Sequence, residues 1–315
     1  MLEHSRGWIL ACSIGVCAIL GSLAAAQTAP MCVGDADGDG EVTVDEIVVS
    51  VNNALQGCGL LPVTLQFQAM VGDEAFACGN SYDGIGTAGD RIFPADLRMY
   101  LSNVRLLTTM GTEVPLHLEQ DRIWQFQDVV LLDFEDKKPP CGQGTVPVNT
   151  TVRGTVPPGD YSGIRFNVGV PFGLNHQNAA TASSPLNLTA MFWNWQGGYK
   201  FLRFDEALDL VRVHLGSTGC EYGQPGRITS CARPNRSEVY LTNFDPSADT
   251  IVFDLATLLA DSDIQANDPD TPPGCMSDPD DDDCDILLRN LGVNFSNGLP
   301  DPSRQTAFRI EKHAE

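Results

Sequence analysis

The sequence predicts a mainly β protein: an antiparallel β-sandwich with disulfide-tied loops, preceded by a small EF-hand-like loop-helix module. Three observations predict it. From Pro62 onward, short runs of β-branched and aromatic residues recur at intervals of roughly ten to twenty-five residues, punctuated by Gly, Pro, Asn and Asp. Eight cysteines follow an apolar leader, an even number in a chain that reads as exported. An acidic run near the start carries the ligand spacing of a calcium loop and passes into helical periodicity.

Residues 1–26 read as a signal peptide. Arg6 precedes an apolar run from Trp8 to about Ala25, and Ala24, Ala25 and Ala26 before Gln27 form a small-residue cleavage site. An uncleaved anchor is the alternative. No later stretch approaches the roughly 18 apolar residues of a membrane span, so the mature chain is expected to be exported, with no membrane span after cleavage. Cys12 and Cys17 leave with the leader.

Residues 31–60 form the appended module. In "GDADGDGEVTVDEIVVSVNNAL", Asp35, Asp37 and Asp39 occupy loop positions one, three and five, and Gly40 permits the sharp turn. Glu41 offers its carbonyl, Thr43 stands at the ninth position, and Glu46 supplies the bidentate twelfth ligand. Ile47, Val48, Val51 and Leu55 follow at helical spacing. With no entering helix, the module resembles half of a dockerin-type repeat, closed by Cys32 and Cys58. Calcium is its expected cofactor, as a staple for a small exported module rather than as a signal.

Residues 62–310 form the large domain. Its strands are read from "VTLQFQAMV", "RMYLSNVRLLT", "WQFQDVVLLDF", "YSGIRFNVGV", "LVRVHLGS", "EVYLTNF" and "TIVFDLATLL". The acidic stretch 268–285 is expected to be a surface loop held by Cys275 and Cys284. Spacing does not fix disulfide connectivity. Local pairing of Cys32 with Cys58, Cys220 with Cys231 and Cys275 with Cys284 leaves Cys78 with Cys141 as a long-range bridge. No spacing is CxxC, which argues against thiolate zinc sites.

The balance of 41 acidic against 19 basic residues, a net charge of −22, excludes nucleic acid as a natural partner, because a polyanion is repelled. No GxSxG, HExxH or P-loop string is present. Asp133 and Glu135 share a strand face by alternation and read as a charged strand end rather than a catalytic pair. His214 alternates with Val213 and Leu215, so a strand turns it off the apolar face. His176 closes the loop-like "PFGLNH", and His117 sits in "VPLHLEQ". Two readings of "MFWNWQGGYK" stay open. As a strand with a Gly197-Gly198 turn, it sets Met191, Trp193 and Trp195 on one side, with Trp193 opposite Leu202. As a short helix capped by Asn187, it groups Leu188, Met191 or Phe192, and Trp195. Trp195 faces inward or toward a site in both.

The strings "RMYLSNVRLL", "VVLLDFED", "GVPFGLNH", "PLNLTAMFWNWQGGYKF", "HLGSTGC" and "GCM" give the region from about Val63 to Ala307 a resemblance to the MbnP-like proteins, also called the metallo-mystery pair family. The calcium module lies outside it. The resemblance implies a bacterial periplasmic or secreted copper-binding protein that is not itself an enzyme. Its implied partner is a MauG-like di-haem protein of the cytochrome c peroxidase family, which oxidises a tryptophan to kynurenine to complete the copper site. His176 and His214 are then the leading copper ligands and His117 the third, with Met191 or Met276 as a possible thioether donor. Trp195, then Trp193, then Trp124 are the candidates for oxidation. The alternative is a calcium-stabilised exported adhesion or carbohydrate-binding sandwich, in which exposed aromatic rings stack on sugar.

Overall fold

The structure is a computed structural model that describes residue 34 and residues 41–56, 59–223 and 227–313. The expected leader, Cys32, Asp35, Asp37, Asp39, Gly40 and Cys58 lie outside the described residues. The chain divides into two compact units, Met1–Gly57 and Cys58–Glu315. In the first, helix α1 (Val44–Gln56) begins within the last three positions of the calcium-loop sequence. Its start is a capping box: the Thr43 amide donates to Glu46 Oε2 at 2.8 Å, and the Glu46 amide donates to Thr43 Oγ1 at 3.4 Å. Among the described residues no helix is long and apolar enough to cross a membrane.

The second unit is built from strands in the order β1 (Leu61–Val71), β2 (Pro94–Thr108), β3 (Val129–Asp133), β4 (Thr151–Val156) and β5 (Tyr161–Val168). Helix α2 (Phe172–Asn175) follows, then the hairpin strands β6 (Phe192–Asn194) and β7 (Gly198–Tyr199). Next come β8 (Leu202–Glu206), β9 (Arg212–Leu215), the ribbon β10 (Thr218–Tyr222) and β11 (Ile228–Arg233), β12 (Ser237–Thr242) and β13 (Thr250–Asp254). Helix α3 (Leu255–Leu259), β14 (Gly274–Cys275), helix α4 (Asp283–Asn290) and β15 (Phe308–Glu311) complete it.

One sheet runs β15–β13–β1–β4, extended by the short strand His117–Leu118; the other runs β12–β5–β2–β8–β9–β14, with β3 also on β2. The pairing is antiparallel except for β1 with β13 and β9 with β14, which are parallel. Alternation sends Phe67, Phe166, Phe253 and Phe308 into the shared core, where Phe166 meets Phe67 at 5.7 Å and Phe308 at 5.4 Å, edge to face. Such geometry sets the ring edge against a neighbour's electron-rich face.

Two predicted strands are shorter than expected. "TIVFDLATLL" changes period midway, because the Asp254 carboxylate accepts from the amides of Ala256 and Thr257 and caps α3. "WQFQDVVLLDF" turns back on itself at Gln127, whose φ is 52°, so Gln125 and Phe126 pair with Val130 and Val129.

The outer face of the second sheet is not an ordinary wet surface. Asp133, Arg98, Arg203 and His214 lie in register across β3, β2, β8 and β9, with Asp96, Asp205 and Arg212 in the next row. Side-chain period two puts all seven on one face, opposite Leu97, Met99, Leu202, Phe204, Val213 and Leu215. Residues 134–149 fold over part of that polar face. They are tied down by the Cys78–Cys141 disulfide and by paired backbone bonds of 2.9 Å between Asp133 and Asn149. Asp133, expected at a charged strand end with Glu135, is therefore buried beneath this cover, and Glu135 is buried within it. Cys220 is bridged to Cys231 and Cys275 to Cys284.

Burial pushes the Asp133 carboxyl up to about 7, with the nearby Arg98 guanidinium pulling the other way. An acid raised above its unfolded value, near 3.9, contributes stability that is complete below that value. The contribution is lost as pH rises through about 7. Asp133→Asn cannot ionise and keeps the Oδ1 acceptor that takes the Glu135 amide at 3.0 Å. Relative to wild type it is expected to gain on the order of 4 kcal/mol between acid and mildly alkaline pH. Urea unfolding at the two extremes checks this, and an equal difference between the proteins at both would contradict it.

Candidate metal centre

The tryptophan-rich hairpin combines parts of both sequence readings. Thr189–Met191 makes a single 3-10 turn, and β6 pairs with β7 through Phe192 opposite Tyr199 and Asn194 opposite Gly198. The connection is thus Trp195-Gln196-Gly197, not Gly197-Gly198. Its cause is Asn194, whose Oδ1 accepts from the amides of Gln196 at 2.9 Å and Gly197 at 2.7 Å, a side chain standing in for a backbone turn. Gly198 has φ of 79°, and a Cβ there would sit 2.5 Å from the Asn175 carbonyl, so only glycine fits.

This turn separates the two tryptophans. Trp195 rides at its tip, 41% exposed, so of the two expectations, inward or toward a site, the inward one is corrected, while Trp195 lines a cavity with His176. Trp193 packs its six-membered ring over Gly216, where a Cβ would overlap ring carbons, and its ring carbon Cε3 lies 3.2 Å from where Gly197 would carry one. Met191 is fully buried beneath the hairpin. Trp124 is partly buried against the core, on the hairpin preceding β3.

Trp193 lines an open cleft of about 610 Å³ together with Lys200, Arg203, Asp205, His214 and Met276. Met276 arrives from the acidic stretch expected to be a surface loop. Most of that stretch stays at the surface, but its segment 274–277 is inlaid: β14 pairs with β9, and Ser277 Oγ donates to the His214 carbonyl and accepts from the Gly216 amide, both at 3.0 Å. Trp193 and Met276 also line an adjoining cavity with Ser217 and Cys220.

His214 is off the apolar face, as alternation predicts, yet it is only 4% exposed because that face is itself covered. Its Nε2 lies 2.6 Å from Asp205 Oδ1, so Nε2 carries the proton and donates to the carboxylate. Nδ1 is then the lone-pair nitrogen, and it is buried with no hydrogen-bond partner among the described residues. Burial holds the His214 pKa below its ordinary value against the opposing Asp205 charge, which favours the neutral ring. Burial acts to raise Asp205, but His214 and Arg203 outweigh it and hold its carboxyl well below the usual range. Burial beside Arg203 lowers Lys200 to about 8, and its Nζ donates to the Ala190 carbonyl at 3.2 Å.

A buried imidazole nitrogen with no partner, in a tautomer fixed by a carboxylate, is the arrangement of a metal-ligating histidine with its outer-shell support. A thioether and an aromatic ring at the same cleft suit a soft or borderline ion such as copper better than a hard cation. Asp205 was not among the residues singled out from sequence. Its only signal was its two-residue offset from Arg203 in "LRFDE", which matches the offset of Arg212 from His214 on the neighbouring strand.

His176 follows α2 and lines a different cavity with Phe172, Trp195 and Ile228. Its Nε2 is 3.5 Å from Cys231 Sγ and 3.3 Å from Asn175 Nδ2. Burial lowers its pKa, opposed by the Trp195 backbone. His117 stands exposed on the edge of the first sheet, opposite Thr155, and lines neither cavity. The structure thus brings His214, Trp193 and Met276 together, and separately His176 and Trp195.

A family model described as MbnP matches residues 61–277. Among solved structures, MbnP from Methylosinus trichosporium is similar at 30% sequence identity, with a TM-score of 0.72, covering 82% of this chain and 100% of that one. A search of curated proteins gave no match.

Proposed function

The chain belongs to the MbnP family, and from that premise we propose that it is an exported copper-binding protein whose metal sits at His214. The observation that carries this reading is the buried, unpartnered Nδ1 of His214, held in its tautomer by Asp205 at 2.6 Å. Met276 is the thioether at the same cleft and Trp193 the ring beside it. Copper bound there would supply a redox-active, nitrogen- and sulfur-loving centre. The protein's own contribution is a neutral imidazole, a fixed ring orientation and partial exclusion of water.

The chain is further proposed to be the client of a MauG-like di-haem enzyme rather than an enzyme itself. Oxidation to kynurenine cleaves the pyrrole C2–C3 bond of the indole: two oxygens from water are added at C2 and C3 with loss of four electrons and four protons, giving the N-formyl product. A third water hydrolyses it to release C2 as formate. The electrons pass to the haem partner and its oxidant. A ketone and an aryl amine then replace the indole, both able to approach a metal. Trp193 is the proposed site, because it lines the His214 cleft, and the exposed ring of Trp195 offers an entry point for electron transfer. The test is co-expression with such a di-haem enzyme, followed by tandem mass spectrometry of the tryptic peptide that ends at Lys200. Ring-opened, deformylated Trp193 is the expected product. Unmodified tryptophan throughout, with the partner active on another client, would refute the client role.

The calcium reading is a separate proposal for the N-terminal unit. Asp35, Asp37, Asp39, the Glu41 carbonyl and the Glu46 carboxylate are its proposed ligands. Its support is the loop spacing together with α1 beginning where an EF-hand's exiting helix begins.

A further inference from the structure

We propose that Cys220, Cys231 and His176 form a second, redox-gated copper(I) site, closed while the two sulfurs are joined and opened when a dithiol reduces them. The proposal is independent of the His214 cleft.

The two cysteines stand directly opposite each other on β10 and β11, with Cα atoms 3.8 Å apart, so both sulfurs emerge from the same face of a two-stranded ribbon. His176 meets them there, and its Nε2 and the two Sγ atoms all lie within 4.8 Å of one another. The Tyr199 amide donates to Asn175 Oδ1 at 2.9 Å, which fixes the side-chain amide so that its Nδ2 points at His176 Nε2, 3.3 Å away. An amide N–H facing Nε2 makes that nitrogen the lone-pair one, and a metal bound there takes the lone pair in place of the Asn175 contact, with Cys231 Sγ 3.5 Å away.

The distances required are modest. Taking thiolate and imidazole bonds of about 2.3 and 2.0 Å, a trigonal ion needs roughly 3.7 Å between nitrogen and sulfur and roughly 4.0 Å between the sulfurs. His176 Nε2 is already 3.5 Å from Cys231 Sγ, so the main change is separation of the two sulfurs. Once the bond is broken, rotation of each cysteine about its Cα–Cβ bond to another staggered position swings the two sulfurs apart.

Access distinguishes this pair from the other described disulfides. Cys220 is buried, but Cys231 is half-buried and His176 beside it is half-buried and lines an open cavity, whereas both members of Cys78–Cys141 and of Cys275–Cys284 are buried. In the reducing step the dithiol's electron pair breaks the Cys220–Cys231 bond, and the dithiol becomes a disulfide. The two freed thiols then release their protons to solvent as they bind the ion. Two thiolates and an imidazole are a soft donor set that favours copper(I) over the hard cations. Reoxidation by a disulfide-exchange partner reverses the sequence and expels the metal.

The test uses the full chain, treated anaerobically with limiting dithiothreitol and desalted, with free thiols located by alkylation and mass spectrometry. Copper(I) is then delivered from its bicinchoninate complex. Reduced wild type is expected to take up an additional equivalent over oxidised protein, and the Cys220→Ser/Cys231→Ser variant to lose that gain. His176→Gln, which leaves the disulfide in place for folding, is expected to weaken the added site at least about tenfold. His214→Ala is expected to retain it. Free thiols at 220 and 231 without extra copper would overturn the proposal, as would the same gain in the double-serine variant. Loss of the near-ultraviolet circular dichroism of the fold on reducing this pair alone would overturn it as well.

Discussion

Replacing Arg98 with methionine is expected to destabilise the protein by about 3–5 kcal/mol, the cost of leaving buried charge uncompensated. Arg98 is 1% exposed, and its Nε donates to Asp96 Oδ1 at 2.8 Å while Nη2 pairs with Asp96 Oδ2. It also faces Asp133 across β3 and lies close enough to Glu135 to pull that acid's pKa down against burial. One guanidinium therefore serves three carboxylates, and its Nη1 reaches the Gln143 carbonyl at 3.4 Å, linking the sheet to its cover. Methionine matches the stem of arginine but offers no donor. The Arg98→Met/Asp96→Asn double variant is expected to recover part of the loss, because it removes the most directly paired carboxylate along with the cation. Urea unfolding near neutral pH measures both. Equal losses in the single and double variants would show that the ion pair is not what the single change disrupts.

The second large effect concerns copper. Asp205→Asn is expected to weaken copper binding about 10- to 100-fold, since an amide no longer enforces the Nε2–H tautomer of His214. His214→Ala is expected to abolish binding at the cleft altogether. Arg203 Nε lies 3.3 Å from Asp96 and also pairs with Asp205, so the asparagine variant leaves Arg203 a carboxylate partner and the sheet face largely intact. Competition against a chromophoric copper chelator, with thermal unfolding measured in parallel, separates lost ligand geometry from lost fold. Unchanged affinity in Asp205→Asn would remove the positioning role.

What the sequence revealed about this site was set by range. Alternation in "LVRVHLGS" was enough to place His214 off the apolar face, because that is a property of neighbouring residues. That the same face is covered depends on the Cys78–Cys141 bridge and on Asn149 pairing with Asp133, contacts that no local pattern carries. Asp133 and Glu135 looked like a wet strand end for the same reason. Trp195 stands before Trp193 in the sequence reading because it faces inward or toward a site whether the segment is a strand or a helix; the Asn194 side chain moves the turn and puts Trp195 at its tip. Met276 sat in a stretch whose acidic composition concealed a strand pairing, β14 with β9, that carries it to the cleft. The sandwich itself was legible because seven separate runs each carry a strand-like stretch of β-branched and aromatic residues, although two of them also hold a turn or a helix. The parallel pairings were not, because they join segments far apart in the chain.

The account stands or falls on where copper binds. A crystal of the protein co-expressed with its di-haem partner and loaded with copper, measured at the copper absorption edge, locates the ion by anomalous scattering. The prediction is a peak beside Nδ1 of His214, in the cleft shared by Trp193 and Met276. A copper peak elsewhere, with Nδ1 of His214 left bare, would contradict it.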